Sequence, residues 1–107
     1  MVAQASKIVK TIRLYLDELG NSGIPVSEAF LFGSFATGKA REESDIDVAV
    51  ISKAFTGDRS SDRRRIVPLR RKIDSRIEPI PFLPDDFRRG GILIDEIKKH
   101  GIRIVLR

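Results

Sequence analysis

The chain has no cysteine and a single histidine among its 107 residues. Without cysteine there is neither a disulfide nor a thiolate metal site. His100 by itself cannot build an imidazole metal centre, so Asp and Glu are the only metal ligands present in number. No apolar run approaches the roughly 20 residues that cross a bilayer. The N-terminal apolar residues are interrupted by Gln4, Lys7 and Lys10, which does not read as a signal peptide. The expected location is the cytoplasm, with no membrane contact. There is no internal repeat and no low-complexity linker, and no Gly-Lys-Ser/Thr closes a P-loop. What remains is expected to be one domain, residues 1–107, with a modest core.

The net charge is +5. Its basic residues gather at Arg63-Arg64-Arg65, Arg70-Arg71-Lys72, Arg88-Arg89 and Lys98-Lys99. Ile66, Val67, Leu69 and Ile73 interleave with the first two groups, which suggests a helix or broken helix with a wet basic face, interrupted near Pro68. No aromatic residue accompanies that segment, so it offers no base-stacking platform. It is either a solvated face or a surface complementary to an acidic protein or to RNA.

Hydrophobic spacing places the remaining elements. Ile8, Ile12, Tyr15, Leu16 and Leu19 recur with helical period, which predicts a helix from about Ser6 to Leu19, closed by Gly20. Ala29 to Phe32 and Ile46 to Ile51 are short apolar runs of strand length. Lys53 to Asp62 reads as a polar loop. Pro84, Asp85 and Asp86 start a short helix, with the two carboxylates favoured by its dipole. Gly90-Gly91 breaks the chain before a helix from Ile92 to His100, and Ile102 to Leu106 alternates as a last strand. The fold class is α/β, a small mixed sheet with helices packed mainly on one side.

Two chemical elements lie between the first two predicted strands. Gly33 ends the first, and Ser34 suits a helix N-cap, with Gly38 stopping the turn that follows. Gly33 lets backbone approach a ligand, and free N–H groups with the Ser34 hydroxyl favour an anion. The same residues also suit an ordinary strand-turn-helix junction. Ten residues separate Ser34 from Asp45. Asp45 and Asp47 flank Ile46 at the start of the second strand, so they share one face and can converge on a hard cation. As a lone dipeptide spacing they equally suit a solvated strand entry.

Gly33-Ser34, the spacer and Ser44-Asp45-Ile46-Asp47 together resemble the signature of the nucleotidyltransferase superfamily that includes DNA polymerase β. The chain's size resembles the minimal nucleotidyltransferase branch, stand-alone domains of bacteria and archaea often encoded beside a HEPN-domain protein. The resemblance covers the chain from Phe30 to about Gly101.

It implies the polymerase β-like fold, Asp45 and Asp47 as catalytic metal ligands, and a third carboxylate on a neighbouring strand. Glu78 is the candidate for that third position, in an extended segment that Pro79 and Pro81 place near a sheet edge. Glu adds a methylene of reach where Asp is more usual. Glu78 can also be a solvated charge beside a proline turn, and Asp74 is the alternative ligand. Gly33, Ser34, Arg41 and Ser44 would contact the nucleotide. Many minimal members carry Arg where this chain has Thr37, so Lys39 or Arg41 would have to supply a cation, unless both are solvated loop charges.

The implied activity is Mg²⁺-dependent transfer of a nucleoside monophosphate, AMP from ATP, with two metal ions, to a protein hydroxyl, as the antitoxin of a HEPN-type toxin. The alternative is a catalytically weak or inactive binding module that neutralises its partner by contact. An aminoglycoside acceptor or processive polymerisation would call for a further helical domain.

Overall fold

The structure, a computed structural model, describes residues 3–106, with side chains described from residue 6. The expected domain span of 1–107 therefore reaches past the described residues at both ends. The chain order is helix α1 (Ala3–Asn21), strand β1 (Glu28–Phe32), helix α2 (Ser34–Thr37), β2 (Ile46–Ile51), α3 (Arg59–Ile66), a 3-10 turn (Val67–Arg70), β3 (Ile77–Phe82), α4 (Pro84–Arg89), α5 (Ile92–His100) and β4 (Ile102–Arg103). The four strands form one mixed sheet in the order β3-β2-β1-β4. β1 is antiparallel to β2 and β4, and β2 is parallel to β3. The parallel pair needs a crossover, and α3 with the 3-10 turn supplies it.

Alternation along the strands sorts side chains between two apolar clusters. Ile46, Val48, Val50 and Ile77 join Ile12, Tyr15 and Leu19 of α1, Phe35 of α2 and Ile66 of α3 in the larger one. Ala49, Ile51 and Phe82 join Phe87 of α4 and Ile94 and Ile97 of α5 in a smaller cluster on the other face. The fold is the small mixed α/β architecture expected from the spacing of apolar residues.

Several boundaries differ from expectation. Gly20 lies inside α1, which runs on to Asn21, because the Leu19 carbonyl keeps the following turn bonded through the N–H groups of Ser22 and Ile24. β4 pairs over only two residues. The stretch taken as a polar loop from Lys53 to Asp62 is half helix. Asp58 caps α3, accepting from Ser60 and Ser61 N–H, and the helix begins at Arg59. Its buried Asp62 accepts from Thr56 N–H (2.9 Å), the Thr56 hydroxyl (3.0 Å) and Gly57 N–H (3.1 Å). The basic segment is a broken helix, as its pattern suggests, with the break at Pro68 taken up as 3-10 geometry.

β3 is an edge strand, and its prolines sit where an edge permits them. The Arg76 carbonyl accepts from Ile46 N–H at the start of β2 and the Phe82 carbonyl from Ser52 N–H just past its end, so the alternate positions Ile77, Pro79 and Pro81 address the free side. There the Ile77 carbonyl accepts from Arg70 Nη1 (2.7 Å) and the Pro79 carbonyl from Arg63 Nη1 (3.3 Å). Two missing N–H groups and two occupied carbonyls leave little for another strand to pair with.

Candidate nucleotidyl-transfer site

Register brings the functional candidates into one row. Phe32 pairs with Asp47 across β1 and β2, and Asp47 pairs with Glu78 across β2 and β3. Since Ile46 and Val48 face the larger cluster, the period of two sends Asp45 and Asp47 to the opposite face, which carries α4 and α5. Glu78 lies on that face too, in step with Ile80 and Phe82. Asp45 is exposed and Asp47 half-buried. Neither carboxylate has a hydrogen-bond or ion-pair partner among the described residues. Asp47 is held above the ordinary carboxylate range first by burial, then by the charge of Asp45, then by that of Glu78.

Gly33 abuts this row. Its φ of 75° lies in the region that side-chain-bearing residues avoid, and a Cβ built on it would run into the Asp47 carboxylate. Both conformation and space therefore demand glycine. The expected cap is corrected by one residue: Gly33, not Ser34, is the N-cap, and Ser34 is the first helical residue. The reason is that Gly33's own carbonyl accepts from Ala36 and Thr37 N–H (3.1 and 3.2 Å). α2 has only four residues, too few for a macrodipole of consequence. What the turn offers an anion is close backbone approach and the Ser34 hydroxyl, which has no partner among the described residues. Thr37 turns its hydroxyl back to the Gly33 and Ser34 carbonyls (3.3 and 3.4 Å), capping the turn instead of serving a ligand.

The other candidates divide. The Ser44 hydroxyl accepts from Arg41 N–H (2.8 Å) and so shapes the turn that delivers Asp45. Arg41 and Lys39 are exposed on that loop. Asp74, the alternative ligand, is fully engaged by Arg76, at 3.0 Å from its Nε and 2.8 Å from its Nη2. That hydrogen bonding holds the Asp74 carboxyl below its usual range. Arg76 also donates to the Glu42 carbonyl (2.6 Å), tying the loop before Asp45 to the entry of β3.

Glu78 is brought beside Asp47 but is not free. Arg70 lies 3.0 Å from one carboxylate oxygen and Arg63 3.4 Å from the other. Among the described residues no three carboxylates or imidazoles close into a metal cage. Asp45 and Asp47, unpaired and repelling each other, do fit a hard cation, since Mg²⁺ takes one or two carboxylates and fills its other positions with phosphate and water. Arg63 and Arg70 went unnoticed as site residues in the sequence. Both lie in basic runs that look like solvated faces, and only the crossover from β2 to β3 carries them to Glu78.

The model of the nucleotidyltransferase domain family matches residues 9–106. No match is found among curated proteins. Among solved structures, a nucleotidyltransferase candidate from Sulfolobus solfataricus is similar at TM-score 0.66 and 21% identity, covering 96% of this chain and 84% of its own. A toxin-antitoxin structure with AMP-PNP is similar at TM-score 0.63 and 24% identity, covering 89% and 73%. At those identities the structural likeness speaks for the fold. The family match spans the glycine turn, the carboxylate row and all four strands, and by it the chain belongs to the nucleotidyltransferase domain family.

Proposed function

We propose that the protein is a Mg²⁺-dependent nucleotidyltransferase that moves AMP from ATP to a hydroxyl of a partner protein, acting in the cytoplasm as the antitoxin of a HEPN-type toxin. The observation that carries this reading is Asp47: an unpartnered carboxylate beside Asp45 and Glu78, backed by a glycine whose φ of 75° side-chain-bearing residues avoid. The toxin-antitoxin neighbour with AMP-PNP supports the choice of partner and nucleotide.

Gly33 backbone and the Ser34 hydroxyl take oxygens of the β- and γ-phosphates. Asp45 and Asp47, with Glu78 as third ligand, would hold two Mg²⁺ ions. Bound there, the ions would neutralise phosphate charge and lower the pKa of the acceptor hydroxyl. The acceptor oxygen forms a bond to the α-phosphorus, the bond from that phosphorus to the bridging β-oxygen breaks, and pyrophosphate leaves. Glu78 would take the hydroxyl proton. To do so, or to serve as a ligand, it must turn from Arg63 and Arg70.

That clasp is also what favours the second reading, a module that neutralises its partner by contact, because a third carboxylate that stayed paired with two guanidiniums would not serve chemistry. Glu78→Gln separates the two. The variant is expected to bind Mg²⁺-ATP as the wild type does, yet fail to transfer label from [α-³²P]ATP to the product of the neighbouring gene. Transfer at the wild-type rate by Glu78→Gln would remove Glu78 from the mechanism. No transfer by the wild type to that protein or to RNA would favour the contact module.

A further inference from the structure

The free edge of β3 carries a row of arginines. Arg59 lies over the Phe82 ring at 4.9 Å, Arg63 donates to the Pro79 carbonyl and Arg70 to the Ile77 carbonyl. Positions 59 and 63 are one helical turn apart, and the 3-10 turn carries the chain on to Arg70, so the row follows the strand from its end back to its start. It spans about 17 Å, the reach of roughly five extended residues. Two open grooves border it. One, of about 370 Å³, lies against Arg63 and Arg64, the other, of about 320 Å³, against Arg70 and Arg71, and Val67 and Pro68 wall both.

Negative charge is scarce at this edge. Asp58 is committed to capping α3 and Asp74 to Arg76. Arg59, Arg64 and Arg71 form no ion pair among the described residues. Glu78 is the carboxylate paired with the row, and 34% of its side chain is exposed. An ion pair so open to water is weak, and a second carboxylate can compete for the same guanidiniums. RNA would meet this charge too, but a stacking surface is missing: Phe82 is 4% exposed and lies under Arg59. A strand cannot add here, because prolines and occupied carbonyls leave it nothing to pair with. What fits is a series of side-chain carboxylates on an extended segment, with apolar contact to Val67 and Pro68.

Building on the nucleotide-transfer reading above, we propose that the arginine row at the β3 edge docks an acidic, extended segment of the partner protein, whose carboxylates draw Arg63 and Arg70 away from Glu78. Glu78 is then an internal stand-in for the partner's acid. It occupies the arginines until the partner arrives, and docking frees it beside Asp47, so that recognition of the acceptor completes the carboxylate row.

The test is fluorescence anisotropy in metal-free buffer with two labelled peptides and a labelled oligouridylate. One peptide has glutamates flanking a tyrosine, and the other has glutamines in their place. The wild type is expected to bind the acidic peptide roughly tenfold more tightly than the neutral one, with the preference fading as salt is raised. Arg59→Gln and Arg71→Gln, both exposed and outside the clasp, should each weaken that binding by roughly two- to fivefold. Glu78→Gln should tighten it by roughly two- to fivefold, because the internal competitor is gone. Glu96→Gln, the same charge change on α5, should not. Unchanged or weaker binding by a folded Glu78→Gln, or an equal gain in Glu96→Gln, would overturn the release of Glu78. Equal binding of the two peptides by the wild type would overturn the docking surface, and tighter binding of the oligouridylate than of the acidic peptide would assign the row to RNA instead. The transferase reading fails separately: with Mg²⁺ and [α-³²P]ATP added, an acidic peptide that binds in the expected pattern but receives no label keeps the docking surface and counts against transfer.

Discussion

Asp47 and Asp62 are both shielded carboxylates, and the fold treats them in opposite ways. Asp62, 1% exposed, is saturated by two backbone N–H groups and a hydroxyl from residues 56 and 57, with Arg65 at 4.0 Å. Asp47 has two carboxylate neighbours and no donor. Burial of a charge is tolerable when hydrogen bonds replace the lost water, and costly otherwise. Asp62 thus belongs to the architecture, pinning the loop after β2 to α3. Asp47 is an unmet electrostatic demand, which a cation can satisfy. Hydroxyls repeat the contrast: buried Tyr15 donates to the Ile66 carbonyl at 2.6 Å, while Ser34 is unpartnered.

The sharpest break of this comparison is in the two aspartates themselves. Asp47→Asn is expected to lower nucleotidyl transfer by roughly a thousandfold or more, the scale of several kcal/mol of charge stabilisation, with the fold intact by circular dichroism. Asp62→Ala should do the reverse. It strands the Thr56 and Gly57 N–H groups, so urea denaturation should show a loss of about 2–4 kcal/mol, while the surviving folded fraction binds nucleotide normally. If Asp62→Ala instead abolished nucleotide binding at full stability, the division would fail.

The hydroxyl pair offers smaller effects of the same kind. Ser34→Ala should weaken ATP binding by about 1–3 kcal/mol, as for one hydrogen bond to a charged group, without moving the melting temperature. Tyr15→Phe should cost about 1–2 kcal/mol of stability by leaving the Ile66 carbonyl unpaired, without changing ATP affinity.

The smallest expected differences are in pH dependence, and they distinguish Asp47 from a second hydrogen-bonded acid, Asp74. Asp47's carboxyl is raised in the folded state, so its ionisation opposes folding above that raised value and has no effect below the unfolded one. In metal-free buffer near neutrality Asp47→Asn should therefore melt higher than wild type, the gain vanishing as pH falls below the ordinary carboxylate value. Asp74's carboxyl is lowered, chiefly by its Arg76 hydrogen bonds, so it contributes stability above the unfolded value and loses it as pH falls through the folded one. Asp74→Asn should melt lower near neutrality and converge with wild type in acid. Thermal melts across pH 2–8 check both signs, and a common sign would show that the two carboxylates are not treated differently.

Local information in the sequence was enough for the elements that carry the site. Period and punctuation placed β2 at Ile46–Ile51 and α5 at Ile92–His100, because apolar alternation, Gly and Pro act over a few residues. The shared face of Asp45 and Asp47 followed from the period of a strand, whereas the demand for glycine at position 33 came from its folded conformation beside Asp47. Tertiary structure decided what sequence distance hides. The parallel register set Glu78 beside Asp47, and the crossover delivered Arg63 and Arg70 to Glu78. Folding also turned Asp62 from a loop charge into a buried anchor and set Arg59, Arg63 and Arg70 along the free edge of β3. The physical reason is one of range. Propensity, capping and face alternation are properties of neighbours along the chain, whereas the partner of a charge and the lining of a sheet edge come from segments that meet only once the sheet has closed its register.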